Sequence, residues 1–233
     1  MTTSGVTALP LTARDVITFA LRKLGVVPIG QEVDYNEIAP LLTDLNLMLK
    51  GWETTGPYLW TVTDGSVSMT AATPSYSLSA DNPLRIVEVR YQYPDATPDR
   101  ILPMKRLSRI QYMQLPLKKS AGNPVQWYFN PQVSSQILYV WPVLQTVTTD
   151  KLLYTFQRRF QICQSPNDSI DVPEEWLQTV GYSLAELLLP NYGVGGEPAA
   201  RIERIAAGLR RVAKAFSRPA FVQFMPEARA GRR

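Results

Sequence analysis

Apolar residues near the N-terminus recur at the spacing of one helix face. Thr12, followed three residues later by Asp15, has the form of a capping box with aspartate in place of the usual Glu or Gln. Gly25 can supply the left-handed residue that ends a helix. The pattern predicts a helix from about Ala13 to Leu24, and its apolar face consists of Val16, Ile17, Ala20, Leu21 and Leu24.

A second helical pattern includes the stretch LLTDLNLMLKGWETTG, Leu41 to Gly56. Asp34 and Glu37 repeat the capping spacing. Pro40 indicates a kink or a late start, because proline removes one helical hydrogen bond. The apolar positions are Ile38, Leu41, Leu42, Leu45, Met48, Leu49 and Trp52.

The pattern changes between Pro57 and about Ser165, where β-branched and aromatic residues form short runs. Turns are predicted at Asp64-Gly65, Asp81-Asn82-Pro83 and Gly122-Asn123-Pro124. A short helix is predicted within Lys105 to Gln114. The predicted strands are Leu59–Thr63, Ser66–Met69, Ser75–Leu78, Ile86–Tyr93, Val125–Phe129, Ile137–Trp141 and Leu152–Phe160.

Helical patterns return at Asp171, which is the predicted N-cap of a helix that ends near Leu189-Pro190. Pro173, Glu174 and Glu175 favour helix initiation there. After Gly193–Gly196 a last helix repeats the apolar spacing of the second one, which favours two helices sharing one core. Its apolar positions are Ile202, Ile205, Ala206, Leu209, Val212, Ala213 and Phe216.

These elements predict an α+β fold, a helical bundle made by the two ends of the chain with a strand-rich insertion between them. Residues 1–56 supply the N-terminal helices and residues 57–165 the β-rich insertion. Residues 166–217 supply the C-terminal helices, and residues 218–233 form an extended basic C-terminal arm.

Composition excludes most catalytic chemistry. The chain has no histidine and a single cysteine, Cys163, so Ser-His-Asp, Cys-His and HExxH mechanisms are impossible. Cys163 is interpreted as a buried apolar residue. No Walker phosphate-binding loop is present. We expect no cofactor, no metal and no enzymatic activity.

Acidic pairs remain as candidates for glycoside hydrolysis, which needs no histidine. Asp168, Asp171, Glu174 and Glu175 form the one local cluster dense enough to consider. A helix start explains all of them except Asp168. A cell-wall hydrolase is therefore kept as a remote alternative.

Charge is concentrated at the C-terminal end. Residues 197–233 carry nine Arg or Lys against three acidic residues, a net charge of +6, which leaves −2 of the total +4 for the rest of the chain. A basic end on a near-neutral body suggests contact with nucleic acid or with an acidic protein. No run of about 18 apolar residues exists to cross a bilayer, so no membrane partner is expected.

Three stretches resemble one family: ARDVITFALRKLGV after Thr12, LLTDLNLMLKGWETTGPYLW, and DVPEEWLQTVGYSLAELLLPNYGV with the basic helix that follows. Their order is similar to the head-to-tail adaptor proteins of short-tailed double-stranded DNA bacteriophages, also called tail accessory, head-completion or packaged-DNA stabilisation proteins. The resemblance covers roughly 80 residues at the two ends. The insertion is similar only in being rich in strands.

The resemblance implies a structural protein made in the host cytoplasm and located at the head–tail junction of the virion. It implies a dodecameric ring under the portal protein, which extends the DNA channel, helps retain packaged DNA and attaches tail proteins such as a nozzle, hub or fibre. Double-stranded DNA would cross the ring without sequence-specific contacts. The C-terminal arm would bind the portal through Arg218, Phe221, Phe224, Arg229, Arg232 and Arg233.

Two further sets of residues keep alternative interpretations. Trp52 is interpreted as core, whereas Trp60 is either the start of a strand or an interface aromatic. A basic set on the last helix is interpreted as a solvated face, a subunit-contact surface or a surface facing DNA in a channel: Arg201, Arg204, Arg211 and Lys214. The main functional alternative is thus a nonspecific DNA-binding protein that uses this helix.

Overall fold

A computed structural model describes residues 5, 8–55, 59–93, 100–133, 135–146 and 149–217. The α-helices in these ranges are α1 (Ala13–Leu24), α2 (Tyr35–Glu53), α3 (Arg109–Met113), α4 (Glu174–Leu188) and α5 (Gly196–Phe216), and a 3-10 turn covers Leu59–Thr61. The strands are β1 (Val62–Ser68), β2 (Ser75–Ser77), β3 (Arg85–Tyr93), β4 (Arg100–Pro103), β5 (Lys105–Arg106), β6 (Gln126–Pro131), β7 (Gln136–Trp141) and β8 (Lys151–Gln157). The α+β class predicted from the sequence is confirmed.

Helices from both ends of the chain share one hydrophobic core. α4 packs against α1, α2 and α5, and α1 also packs against α2. Buried residues of all four helices, among them Ile17, Leu45, Leu184 and Ile202, belong to one cluster. α4 is the central helix, and α2 and α5 contribute to the same core, as their matched apolar periods predicted.

The close approach of α1 and α4 depends on a glycine. A Cβ atom built on Gly181 would lie 2.5 Å from Cδ1 of Phe19. The Phe19 ring instead packs edge-on against Tyr182, with ring centroids 5.5 Å apart. Gly181 thus allows an aromatic side chain of α1 to lie directly on the backbone of α4.

The strands form two four-stranded sheets that share a second core. The first has the order β1-β8-β3-β4 and the second β2-β7-β6-β5. All pairs are antiparallel except β5 with β6. Buried side chains of both sheets, such as Val89 and Tyr154 from the first and Trp127 and Leu138 from the second, form one cluster. Two sheets with a common apolar layer make a sandwich.

The turn predicted at Asp64-Gly65 is wrong, because both residues lie inside β1. The aromatic ring of Tyr154 on β8 takes the space beside Gly65, where a Cβ would come within 2.6 Å of Cε2. The Asp64 carboxylate accepts hydrogen bonds from the hydroxyl of Thr155 and from Arg90. The glycine serves a close side-chain contact between strands rather than a turn.

Other boundaries in the insertion also differ from the prediction. The predicted strand at Leu59–Thr63 starts as a 3-10 turn, and the last strand ends at Gln157 rather than Phe160. β4 and β5 are not in the prediction, which assigned Lys105 to a helix. Their short length leaves no measurable alternation, so the pattern gives little signal there. The helical prediction holds for α3, where Ser108 and Gln111 form a capping box.

α2 begins after Asp34 as predicted and contains Pro40, but the Asp34 side chain makes no capping hydrogen bond. The first intrahelical bonds are accepted by the Asp34 carbonyl. Proline at the sixth helical position removes one backbone donor. The helix nevertheless continues, because its apolar face is buried in the shared core.

Polar side chains of α2 hold the segment that returns from β8 to the bundle. The amide of Asn46 donates to the carbonyl of Cys163 at 2.8 Å and accepts from its N–H at 3.0 Å. The buried carboxylate of Glu53 accepts from the N–H of Phe160 at 2.6 Å and from Lys50 at 2.7 Å. These bonds fix the join between bundle and sandwich.

Candidate interaction surfaces of the C-terminal helices

α5 is attached to α4 by one aromatic anchor and one ion pair. The indole N–H of Trp176 donates to the hydroxyl of Ser217 at 3.2 Å, directly after the end of α5. The guanidinium of Arg210 donates to both carboxylate oxygens of Glu186. This hydrogen-bonded carboxylate raises the pKa of Arg210. A bidentate pair of this kind fixes the rotation of α5 about its axis.

Trp60 lies in an aromatic cluster between the bundle and the sandwich. Its ring centroid is 4.9 Å from that of Trp176 and 6.3 Å from that of Phe160. Trp52, interpreted from the sequence as core, also packs against Trp176, with ring centroids 5.6 Å apart. Trp60 is half-buried in these contacts, and its role as an interface aromatic stays a prediction.

The basic residues predicted on the last helix all lie on α5 and are exposed: Arg201, Arg204, Arg211 and Lys214. None of them takes part in an ion pair within the part of the chain that the structure describes. Arg210, which lies between them in the sequence, instead forms an ion pair with Glu186. The positive face of α5 is therefore available to a partner.

The apolar stripe predicted for α5 is only partly core. Ile202, Ala206 and Ala213 are buried, whereas Val212 is 70% and Phe216 is 72% exposed. The prediction that Val212 and Phe216 belong to the intramolecular core is wrong, because α4 covers a narrower face of α5 than the stripe is wide. These side chains border a groove of about 310 Å³ whose other wall includes Trp176 and Thr179.

A second groove, of about 450 Å³, lies on the other flank of α5, between α2 and the end of α4. Met48 of α2 and Leu187 and Pro190 of the α4 end form its apolar walls, and the Arg210–Glu186 pair lies at its base. Leu187 is 47% exposed. Nearby, the negative charges of Glu37 and Asp44 act on the hydroxyl of Tyr192, whose pKa is raised first by burial and then by these carboxylates.

Two members of the acidic cluster have structural partners. Asp171 accepts from both terminal nitrogens of Arg158 and from the N–H of Gln161, so it is not the N-cap of α4, a position held by Pro173. Asp168 accepts the N–H groups of Gln164 and Ser165, each at 2.8 Å.

Glu174 and Glu175 are exposed in the first turn of α4, where acidic side chains stabilise the helix. Among the described residues no group of three or more His, Cys, Asp or Glu side chains is placed to hold a metal ion. Burial, with the charges of Asp168 and Asp171, raises the pKa of the Cys163 thiol. In the described ranges no helix combines the length and apolar character needed to span a membrane.

The predicted arm lies outside the described residues, with all of its proposed portal contacts: Arg218, Phe221, Phe224, Arg229, Arg232 and Arg233. The structure places its starting point, since Ser217 is buried and bonded to Trp176. The chain therefore leaves α5 beside the apolar groove bordered by Phe216.

No model of a known protein family matches the chain, and no curated protein matches it. Among solved structures, the chain is similar to one in the neck of an empty GTA particle computed with C6 symmetry. The match covers 80% of this chain and 83% of that one, with 18% identity and a TM-score of 0.28. A TM-score this low does not establish a shared fold.

Proposed function

We propose that the protein is a structural adaptor at the head–tail junction of a bacteriophage virion. In this role it forms a homo-oligomeric ring, such as a dodecamer, that binds under the portal protein, extends the DNA channel, helps retain packaged DNA and provides an attachment site for tail proteins. The function is non-enzymatic and needs no cofactor. It would act in the virion after synthesis in the host cytoplasm.

The observation that carries the proposal is the joining of the family-like ends of the chain. The three stretches that resemble the adaptor family supply α1, α2 and α4, and their buried residues fall in a single core with Ile202 of α5. The strand-rich insertion has a core of its own. A bundle of this kind can repeat around a ring while the insertion presents a separate surface to the tail.

The exposed chemistry of α5 also supports a binding role. Four cations are solvent-exposed on this helix, which also exposes the apolar side chains of Val212 and Phe216. Large exposed apolar side chains rimmed by charge are typical of protein interaction sites. Partners of the whole assembly would be the portal, other copies of the chain and a tail nozzle, hub or fibre protein.

The direct test is the mass of the chain mixed with its portal protein, measured by native mass spectrometry or light scattering. A complex with many copies of the chain per portal ring is expected. The free chain is expected to be mostly monomeric, because the arm is expected to order only on contact with the portal. A chain that joins neither portal nor itself under any condition contradicts the proposal.

The role of the arm can be tested separately. Removal of residues 218–233 is expected to abolish portal attachment and to leave the far-ultraviolet circular dichroism spectrum unchanged. The fold should persist because residues between Ala13 and Ile202 already form the shared core of the helices. Unchanged attachment by the shortened chain would show that the portal contact lies elsewhere.

A second candidate function, nonspecific DNA binding, is favoured by the exposed cations of α5. Phosphate contacts by Arg201, Arg204, Arg211 and Lys214 would make duplex binding fall steeply with salt, by a logarithmic slope of about 0.9 per contact. Tight low-salt binding that is lost when these four residues become alanine would favour this function. Negligible binding of free DNA would favour the adaptor.

The hydrolase alternative has less support, because Asp168 and Asp171 are held by backbone N–H groups and by Arg158. Glu174 remains exposed at the start of α4. Cell-wall degradation by the purified chain, lost in Glu174→Gln, is the result that would revive it.

A further inference from the structure

We propose that neighbouring copies of the chain bind head to tail, with the Val212–Phe216 side of α5 in one copy seated in the groove between α2 and the α4 end of the next. The inference rests on the proposed ring and names the two surfaces that would build it. The first surface, the ridge, is Val212 and Phe216 with the exposed Arg204 and Arg211 of α5. The second, the acceptor groove, is bordered by Met48, Leu187 and Pro190.

The two surfaces are different and lie on opposite flanks of the same helix. Arg210 lies at the base of the acceptor groove, and successive residues of an α-helix are turned by about 100°. Val212 is therefore turned by roughly 160° from Arg210, and Phe216 by roughly 120°, about the helix axis. A contact between two different patches of a subunit is heterologous, and heterologous contacts repeat into rings when the rotation closes.

Each surface has apolar area that the described residues of its own chain leave exposed. Val212 and Phe216 are 70% and 72% exposed. On the other side Leu187 is 47% exposed, and the groove volume of about 450 Å³ is open beside it. Removing these side chains from water on both sides gives a favourable free energy that the isolated chain does not obtain.

Charge complements the apolar match. The ridge helix presents Arg204 and Arg211 on its exposed side, whereas Lys214 is turned only about 40° from Arg210 about the helix axis. The groove helix presents Glu37, which is exposed, and Asp44, which is half-buried. The segment from Glu32 to Met48 contains four acidic residues and no Lys or Arg.

The acidic side chains extend along the groove side of α2. Glu37, Asp44 and Met48 follow one another at spacings of seven and four residues, which places them along one line of the helix. The carboxylates of Glu37 and Asp44 take part in no ion pair within the described ranges. A basic ridge against an acidic groove rim favours the head-to-tail pairing over ridge against ridge, which would bring like charges together.

Site-directed crosslinking of the assembled ring tests the contact. Two variants, Phe216→Cys and Leu187→Cys, are mixed, assembled with the portal and treated with a short bismaleimide crosslinker. The wild-type chain is the blank, because Cys163 is buried. We expect a crosslinked dimer in the mixture and little in either variant alone, and a ladder of higher oligomers from the double variant.

A matched control replaces Leu187→Cys with Ile110→Cys, at an exposed apolar residue of α3 in the insertion. Crosslinking between positions 216 and 110 that equals the 216–187 yield would overturn the proposal, as would crosslinking of Phe216→Cys mainly to itself. If the ring assembles but 216–187 crosslinking is absent, the interface is wrong and the adaptor function stands. If no ring assembles with the portal, the proposed adaptor function itself is refuted.

Charge reversal gives an independent readout. Arg211→Glu is expected to lower ring formation at least tenfold at low salt, and Asp44→Lys in the adjoining subunits is expected to restore part of it. Circular dichroism of each free variant controls for folding. Restoration absent in the paired variant, with both chains folded, would contradict the pairing of these two helices.

Discussion

Replacement of Gly65 is expected to destabilise the protein, because any side chain at this position would collide with the ring of Tyr154. Its φ is outside the left-handed region, so alanine is compatible with the backbone. A Cβ at this position would lie 2.6, 2.7 and 2.9 Å from Cε2, Cζ and the hydroxyl oxygen of Tyr154. Tyr154 cannot simply move away, since it is 2% exposed and donates its hydroxyl to Asp81.

The cost of Gly65→Ala can be estimated from two contributions. Overpacking of a tightly packed core costs about 1 to 3 kcal/mol. Displacement of the ring also weakens a hydrogen bond to a charged group, which contributes about 1.5 to 3 kcal/mol. We expect a loss near 3 kcal/mol in the free energy of unfolding. For a chain of this size that lowers the melting temperature by about 6 to 12 °C.

Thermal unfolding followed by calorimetry and circular dichroism measures this loss. The matched control is Gly51→Ala, since Gly51 lies exposed in α2 with no atom within 4 Å of an added Cβ. That variant should gain up to about 1 kcal/mol from helix propensity. Gly65→Ala should be much less harmful when Tyr154→Leu removes the ring. Equal losses in the two backgrounds would refute the contact as the reason for glycine.

Three further predictions concern the joint between bundle and sandwich, the sandwich core and the cysteine. Asn46→Ala should lower the free energy of unfolding by about 1 to 3 kcal/mol, because it leaves the N–H and carbonyl of Cys163 without their partner. Urea unfolding measures this loss, with the exposed Asn36→Ala as the control. Equal losses in the two variants would contradict the prediction. Burial and the bond to Asp81 raise the pKa of Tyr154 above its ordinary 10.0, so its contribution to stability is full below pH 10 and is lost as the pH rises toward the folded pKa. Alkaline unfolding should weaken in Tyr154→Phe, and an unchanged alkaline limb would refute this assignment. Cys163, buried and with a raised pKa, should react with a thiol reagent at pH 8 only after unfolding, whereas fast reaction of the folded chain would contradict its burial.

The helices could be predicted from sequence because their signals are local. The capping box at Thr12, the left-handed Gly25 and the apolar face between them all occur within one segment, and α1 has the predicted bounds. Which helices pack against one another was harder to predict. Equal apolar periods in α2 and α5 indicated that both face a core, but they could not indicate that α4 lies between them.

In the insertion, local sequence patterns predict the structure less well than they do in the helices. Asp64-Gly65 is a strong turn signal, and only the ring of Tyr154, about 90 residues further along the chain, gives the glycine another use. Glu53 gave no signal either, since a glutamate near a helix end is normally solvated. Its burial depends on the N–H of Phe160, which reaches the carboxylate only when the chain returns from the sandwich. Lys50, three residues earlier in α2, is its local partner.

The candidate interaction surface of α5 was recognised because its apolar stripe is wider than the face that α4 covers. A helix whose apolar stripe is wider than the face its neighbour covers has either poor packing or a missing partner. In α5 the covered part is well anchored by Trp176 and Arg210, so poor packing does not explain the exposure of Val212 and Phe216. Cations lie near these two side chains, and acidic residues line the free side of α2. A fitting partner must therefore match these surfaces in charge as well as in shape. In the proposed head-to-tail ring a second copy of the same chain would supply both, and the excess stripe of α5 would then serve assembly rather than folding.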